Sequence, residues 1–148
     1  MPHAGLMDEH GLGPIEGPFQ RARLHLRGGK RRLRQGKVSA GIVTLYDALL
    51  AAMEWYVNEP SHHARLGLSD KDDLRNDAHV YAVLVRSGVL DGAFDFGAFD
   101  RLVEKALDEE LTEYDPRALV VGIDAVMTRL GVMPFDEALL PPEDPKTF

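Results

Sequence analysis

Between Val38 and Val57 the apolar positions 38, 42, 45, 49, 53 and 56 keep returning to one side of a 3.6-residue period, and nothing else in this 148-residue chain restricts its fold as strongly. The spacing predicts a long amphipathic helix over 38–57. A basic run, Arg31, Arg32, Arg34 and Lys37, leads into it. Asn58-Glu59-Pro60 ends it, because proline lacks the amide hydrogen and pushes the residue before it out of helical geometry.

The same period recurs downstream. Ser69-Asp70-Lys71-Asp72 has the spacing of a capping box and is expected to open a helix that turns Leu74, Ala78, Tyr81 and Leu84 or Val85 inward and stops at Gly88. Phe99, Leu102, Val103, Ala106, Leu107 and Leu111 mark another from about residue 97. Tyr114-Asp115-Pro116 then sets a boundary, with Asp115 as N-cap and Pro116 at the first helical position, followed by the stripe Leu119, Val120, Ile123, Met127 and Leu130 up to Gly131. Ahead of them all, Phe19 to Arg27 and Lys30 to Gln35 read as two helical pieces broken at Gly28-Gly29, since an interior glycine costs about 1 kcal/mol relative to alanine. Alternating strand patterns, Asn-Gly hairpin signals and internal repeats are absent from the sequence. The expected fold is all-α: an up-and-down bundle of four main helices with an irregular leading helix and extended termini. Residues 1–18, rich in Gly and Pro, are expected as an extended arm and 19–131 as the bundle. Residues 132–148, interrupted by four prolines, are expected as an extended tail with a short turn within 135–140.

The length suits one domain with its own core. Absence of cysteine excludes disulfides, thiolate metal sites and cysteine nucleophiles and fits a reducing compartment, so the expected location is cytoplasmic. The N-terminal residues lack the pattern of a secretory signal, and no membrane association is expected. Net charge is −7, yet residues 21–37 hold Arg21, Arg23, Arg27, Lys30, Arg31, Arg32, Arg34 and Lys37 without an acid, while acids dominate from Asp91 onward. Such polarity suits self-association or an anionic partner. Lys30, Arg31, Arg32, Arg34 and Lys37 form the candidate anion-binding group. Nucleic acid is the less favoured ligand, because the chain is acidic overall and Phe19 is the only aromatic residue near the run.

Arg75 and His79 stand four apart and would share a helix face, a spacing at which a guanidinium and an imidazole can hold a phosphate between them. Histidine can act there as general base on a ribose hydroxyl while arginine stabilises the developing charge. The competing and favoured reading is an ordinary surface pair, with Arg75 meeting Asp72 or Asp73. His62, His63 and His79 with Asp70, Asp73 and Asp77 offer nitrogen and oxygen donors but no helical metal-ligand spacing. Neither a metal nor another cofactor is expected.

Over roughly residues 30–131 the order of small and aromatic positions resembles that of HEPN-domain proteins. Gly36, Ala40, Tyr46, Ala48 and Ala52 follow the family's glycine and Tyr-x-Ala-x-x-x-Ala helix, and Ser87-Gly88-Val89-Leu90 and Tyr114-Asp115-Pro116 are similar to its later connections. The resemblance implies a small helical bundle that forms homodimers. It further implies either a metal-independent ribonuclease or a noncatalytic partner of a nucleotidyltransferase. The family's catalytic signature sets an arginine before a histidine near the last helix. Its nearest counterpart here, Arg75-Asn76-Asp77-Ala78-His79, is more closely spaced and sits in a middle helix. The reading is therefore a noncatalytic HEPN-like domain that homodimerises and binds a protein partner or an anionic ligand. The alternative is a ribonuclease using Arg75 and His79.

Overall fold

The computed structural model describes residues 9–148, and their side chains from residue 11 onward. Among the described residues the elements are six α-helices and three short 3-10 turns, with no strand, so the fold is the all-α bundle that the periodicity predicts. Helix α1 (Glu9–Arg34) and helix α2 (Val38–Asn58) form a hairpin closed at Gly36, whose φ of 78° is left-handed. Contacts run in opposite directions along the two helices. Leu33 lies over Gly41, Gly29 against Leu45, Arg21 on Asp47, Phe19 on Trp55, and Asn58 on Pro14.

The leading helix is where the structure departs most from expectation: it runs without a break through Gly28-Gly29, and residues 9–18 are not an extended arm. Residues 1–8 of that arm lie outside the described residues. Inside α1 the non-helical residue is Gly13 (φ 87°, ψ −178°), so the glycines and prolines there punctuate a helix start. Pro14 takes the first position of the main segment, where a missing N–H is harmless. Pro18 removes the amide that would bond the Pro14 carbonyl, and the Asn58 side-chain amide donates to that carbonyl instead at 3.4 Å.

Gly29 stays helical because the crossing requires it. A Cβ there would stand 2.8 Å from the Leu45 side chain and 3.2 Å from the Gly41 carbonyl oxygen, and one on Gly41 would stand 3.0 Å from the Gly29 carbonyl oxygen. The two backbones touch. Packing over the length of the hairpin outweighs the ~1 kcal/mol propensity penalty of glycine.

The predicted stripe of α2 is buried at Ile42, Leu45, Leu49, Met53 and Tyr56, and so are Ala48, Ala51 and Ala52 on other sides. α2 is the central helix, packed by α1, α5 (Phe96–Asp108) and α6 (Arg117–Leu130). By length and composition it is also long and apolar enough to cross a membrane, although 56% of its most apolar window is buried within the bundle. A 3-10 turn (Pro60–His62) and the short α3 (His63–Leu66) follow it.

The next helix, α4 (Asp77–Arg86), begins seven residues later than the capping-box spacing at Ser69 predicts. Ser69 and Asp72 do make the box's hydrogen bonds, Ser69 N–H donating to Asp72 at 2.9 Å, but they close an isolated turn. Asn76 then caps α4 by accepting from the His79 amide at 3.0 Å. Short polar side chains that bond to nearby backbone compete with helix in this way. Leu74 and Ala78 are exposed as a result, contrary to the pattern. Asp95 caps α5, Gly88 and Gly131 end α4 and α6 with positive φ, and Pro116 sits one position earlier than predicted, as the residue flanking α6.

Candidate functional site

Arg75 and His79 do not converge. Arg75 precedes α4 in a turn, its side chain is 94% exposed, and it pairs with Asp73 at 3.3 Å. His79 lies on α4 and contacts Asp72 through Nε2 at 2.8 Å, while Arg86, two turns further along the same helix, reaches the same carboxylate at 3.2 and 3.3 Å. Asp72 keeps only 6% of its side chain exposed. Arg86 above all, then the Ser69 amide and His79, hold its carboxyl far below the usual carboxylate range. An aspartate thus occupies the place between imidazole and guanidinium that a phosphate would take. Asn76 spends its side-chain oxygen on the α4 cap. Arg86 is absent from the candidate residues named above, although its position seven after His79 places both on one helix face.

The loop histidines serve the end of α2. His62 Nδ1 donates to the Tyr56 carbonyl at 2.7 Å and His63 Nε2 to the Val57 carbonyl at 3.0 Å, satisfying acceptors that a helix C-terminus leaves open. His62 also stacks on the Tyr56 ring at 3.8 Å. Among the described residues, no group of three or more His, Asp or Glu is arranged to hold a metal ion.

The basic run divides in three. Lys30 pairs with Asp124 on α6 at 2.8 Å. Arg31 and Arg32 turn toward the tail: Arg31 is buried and donates to Glu143 at 3.0 Å, and Arg32 reaches the Thr147 carbonyl at 3.4 Å. Arg34 and Lys37 are exposed. The N-terminus of α2, where an anion would bind next to Lys37, already holds a carboxylate of this chain: Glu110 accepts from the Ser39 amide at 3.1 Å. The five residues therefore do not act as one patch.

Between α1 and α2 a charged cluster locks the hairpin. Arg21 donates twice to Asp47, both at 3.1 Å, and the buried imidazole of His25 contacts the same carboxylate through Nδ1. Burial pushes the Asp47 carboxyl up, but His25 and Arg21 together pull it down to about 2. A folded-state value below the unfolded one contributes stability that is complete above about pH 4 and lost as pH falls through about 2. Urea unfolding of the wild type and Asp47→Asn should show a gap of about 2 kcal/mol near neutral pH that shrinks toward zero in strong acid. A gap independent of pH would show that Asp47 acts through packing alone.

A second feature is an open groove of about 550 Å³ between the last turns of α1 and the first turns of α6. Leu33, Pro116, Val120 and Val121 line it, and Lys30, Arg34 and Arg117 stand around it. Val121 is 70% exposed there. Lys30 and Arg117 each already carry one acid of this chain, Asp124 and Asp115, and Arg34 is exposed. Periodicity marked Val120 as inward-facing but gave no sign that α1 and α6 leave its neighbour open. No family model, curated protein or solved structure matches the chain.

Proposed function

We propose that the chain is a noncatalytic, HEPN-like helical module that works by association, pairing with a second copy and holding an acidic segment of a protein partner. This reading rests on the α1–α6 groove, an apolar floor with cations around it. An occupant should be apolar at its centre and acidic at its edges. Two such grooves facing each other across a two-fold axis would repel. The acidic end of α5 fits better: Leu107 projects there with 67% of its surface exposed, between Glu104 and Asp108. When the groove of each copy takes the α5 ridge of the other, the two contacts are related by a two-fold axis and close into an isologous dimer. A nucleotidyltransferase, the partner that the HEPN resemblance implies, would use the same groove through an acidic helix. The absence of cysteine supports a cytoplasmic setting.

Catalysis by Arg75 and His79 is the weaker reading, because Arg75 faces solvent beside Asp73 and the His79 imidazole is already taken by Asp72. Labelled RNA incubated with the protein in EDTA should remain intact. Cleavage that disappears in His79→Ala would overturn the noncatalytic reading. Sedimentation velocity should show wild-type association weakening with added salt, since exposed charges are screened over about 10 Å at 0.1 M. Val121→Glu should raise the dissociation constant at least tenfold, while an unchanged constant would remove the groove from the interface.

A further inference from the structure

The tail, interrupted by 3-10 turns at Glu137–Leu139 and Pro145–Thr147, lies along α1 and runs in the same direction. Arg23 Nε donates to the Val132 carbonyl at 3.4 Å, and Arg27 donates to the Pro141 carbonyl at 2.7 Å. Arg31 donates to Glu143 at 3.0 Å and to the Thr147 hydroxyl at 3.4 Å, with its guanidinium 4.6 Å from the centre of the Phe148 ring. Arg23, Arg27 and Arg31 recur every fourth residue, so they form one row on the helix, with Arg32 beside its end.

We propose that this arginine row is a binding channel for an extended acidic peptide, and that residues 141–148 occupy it as the chain's own substitute ligand. Three observations support the channel. First, the tail underfills it. Glu143 is the one carboxylate serving both Arg27 and Arg31, and it stands 3.7 Å from Arg27 Nε, beyond hydrogen-bonding range. Arg27 Nε and Arg32 Nη1 are buried without a hydrogen-bond partner, and Asp144 spends its carboxylate on the Lys146 amide. Buried donors left open penalise the present occupant, so a peptide with a second carboxylate would hold better.

Second, the tail is held mainly by polar contacts. Leu140 is buried, but Leu139 and Phe148 are largely exposed, so little apolar area resists displacement. Third, the acceptors that residues 141–148 offer are those of a peptide: main-chain carbonyls of Pro141 and Thr147, the Thr147 hydroxyl and one side-chain carboxylate. A nucleic acid, with a phosphate at every step, would meet the repulsion of a chain with net charge −7 far more strongly than a peptide with one or two carboxylates. This channel lies apart from the α1–α6 groove and does not depend on self-association.

The test uses the full chain and a fluorescein-labelled synthetic peptide with the sequence of residues 140–148. Glu143→Ala loosens the tail and should bind the peptide at least tenfold more tightly than the wild type does. Adding Arg31→Gln should abolish that gain. A Lys146→Glu peptide, which carries a further carboxylate, should bind more tightly than the parent sequence. Equal affinity for wild type and Glu143→Ala, indifference to Arg31→Gln, or preference for a labelled oligoribonucleotide would overturn the proposal. Should Glu143→Ala lose its helical circular dichroism, amide exchange of the wild type decides. The Thr147 and Phe148 amides should exchange far faster than those of α1, and faster still with excess peptide. Tail amides as protected as α1, or unmoved by peptide, would also overturn it.

Discussion

Gly29→Val is expected to destabilise the chain by about 3 kcal/mol and to lower its thermal midpoint by about 10 °C. Already at Cβ the substitution comes within 2.8 Å of the completely buried Leu45 side chain. The Gly41 carbonyl oxygen behind it belongs to backbone and cannot rotate away. Better helix propensity returns only about 0.5 kcal/mol, so the steric cost decides the sign. Gly36→Ala is a useful contrast: nothing lies within 4 Å of its Cβ, and the strain is only that of its left-handed φ of 78°, about 1 kcal/mol. Thermal unfolding followed by far-UV circular dichroism ranks the two. A Gly29→Val chain as stable as Gly36→Ala would mean that the helices do not cross where the glycines meet.

Ser39→Ala should cost about 2 to 3 kcal/mol, a large effect for the loss of one oxygen atom. The Ser39 hydroxyl donates to the Glu109 carbonyl at 2.7 Å and accepts from the Leu111 amide at 2.9 Å. Removing it strands a donor and an acceptor on the segment that links α5 to α6, next to the buried side chain of Leu111. The same segment supplies Glu110 to the Ser39 amide, so a single residue on α2 anchors the whole connection. Denaturant unfolding gives the energy, and amide exchange at Leu111 should accelerate with it. Unchanged Leu111 protection in Ser39→Ala would contradict this anchoring.

Those two sites show how unevenly the structure was legible from sequence. Periodicity found α2, α5 and α6 because burial on a helix repeats every 3.6 residues, and Gly131 and Pro60 ended their helices by local chemistry. Gly28-Gly29 misled for a physical reason. Propensity is local, whereas the benefit of a glycine at a helix crossing depends on Gly41 and Leu45, residues far along the chain. Ser69 misled because a capping box forms equally well in a turn that no helix continues. Opposite charges in residues 21–37 and beyond Asp91 were plain to see. Their pairing was not: Lys30 with Asp124 and Arg31 with Glu143 join residues that only the tertiary fold brings together. Of the candidate site residues, Arg34 remains exposed at the groove, while Arg117 and Val121 beside it could be found only once α1 and α6 were packed.

Association through a groove on one copy and a ridge on another is tested most directly by mixing two variants. Val121→Glu spoils the groove and keeps the ridge. Leu107→Glu spoils the ridge and keeps the groove, and both residues are exposed, so neither change disturbs the core. In sedimentation equilibrium the wild type should associate and each variant alone should be monomeric. An equimolar mixture of the two should form a one-to-one heterodimer through the single intact contact. A mixture that stays monomeric while the wild type dimerises, or a wild type that is itself monomeric at high concentration, would contradict the account.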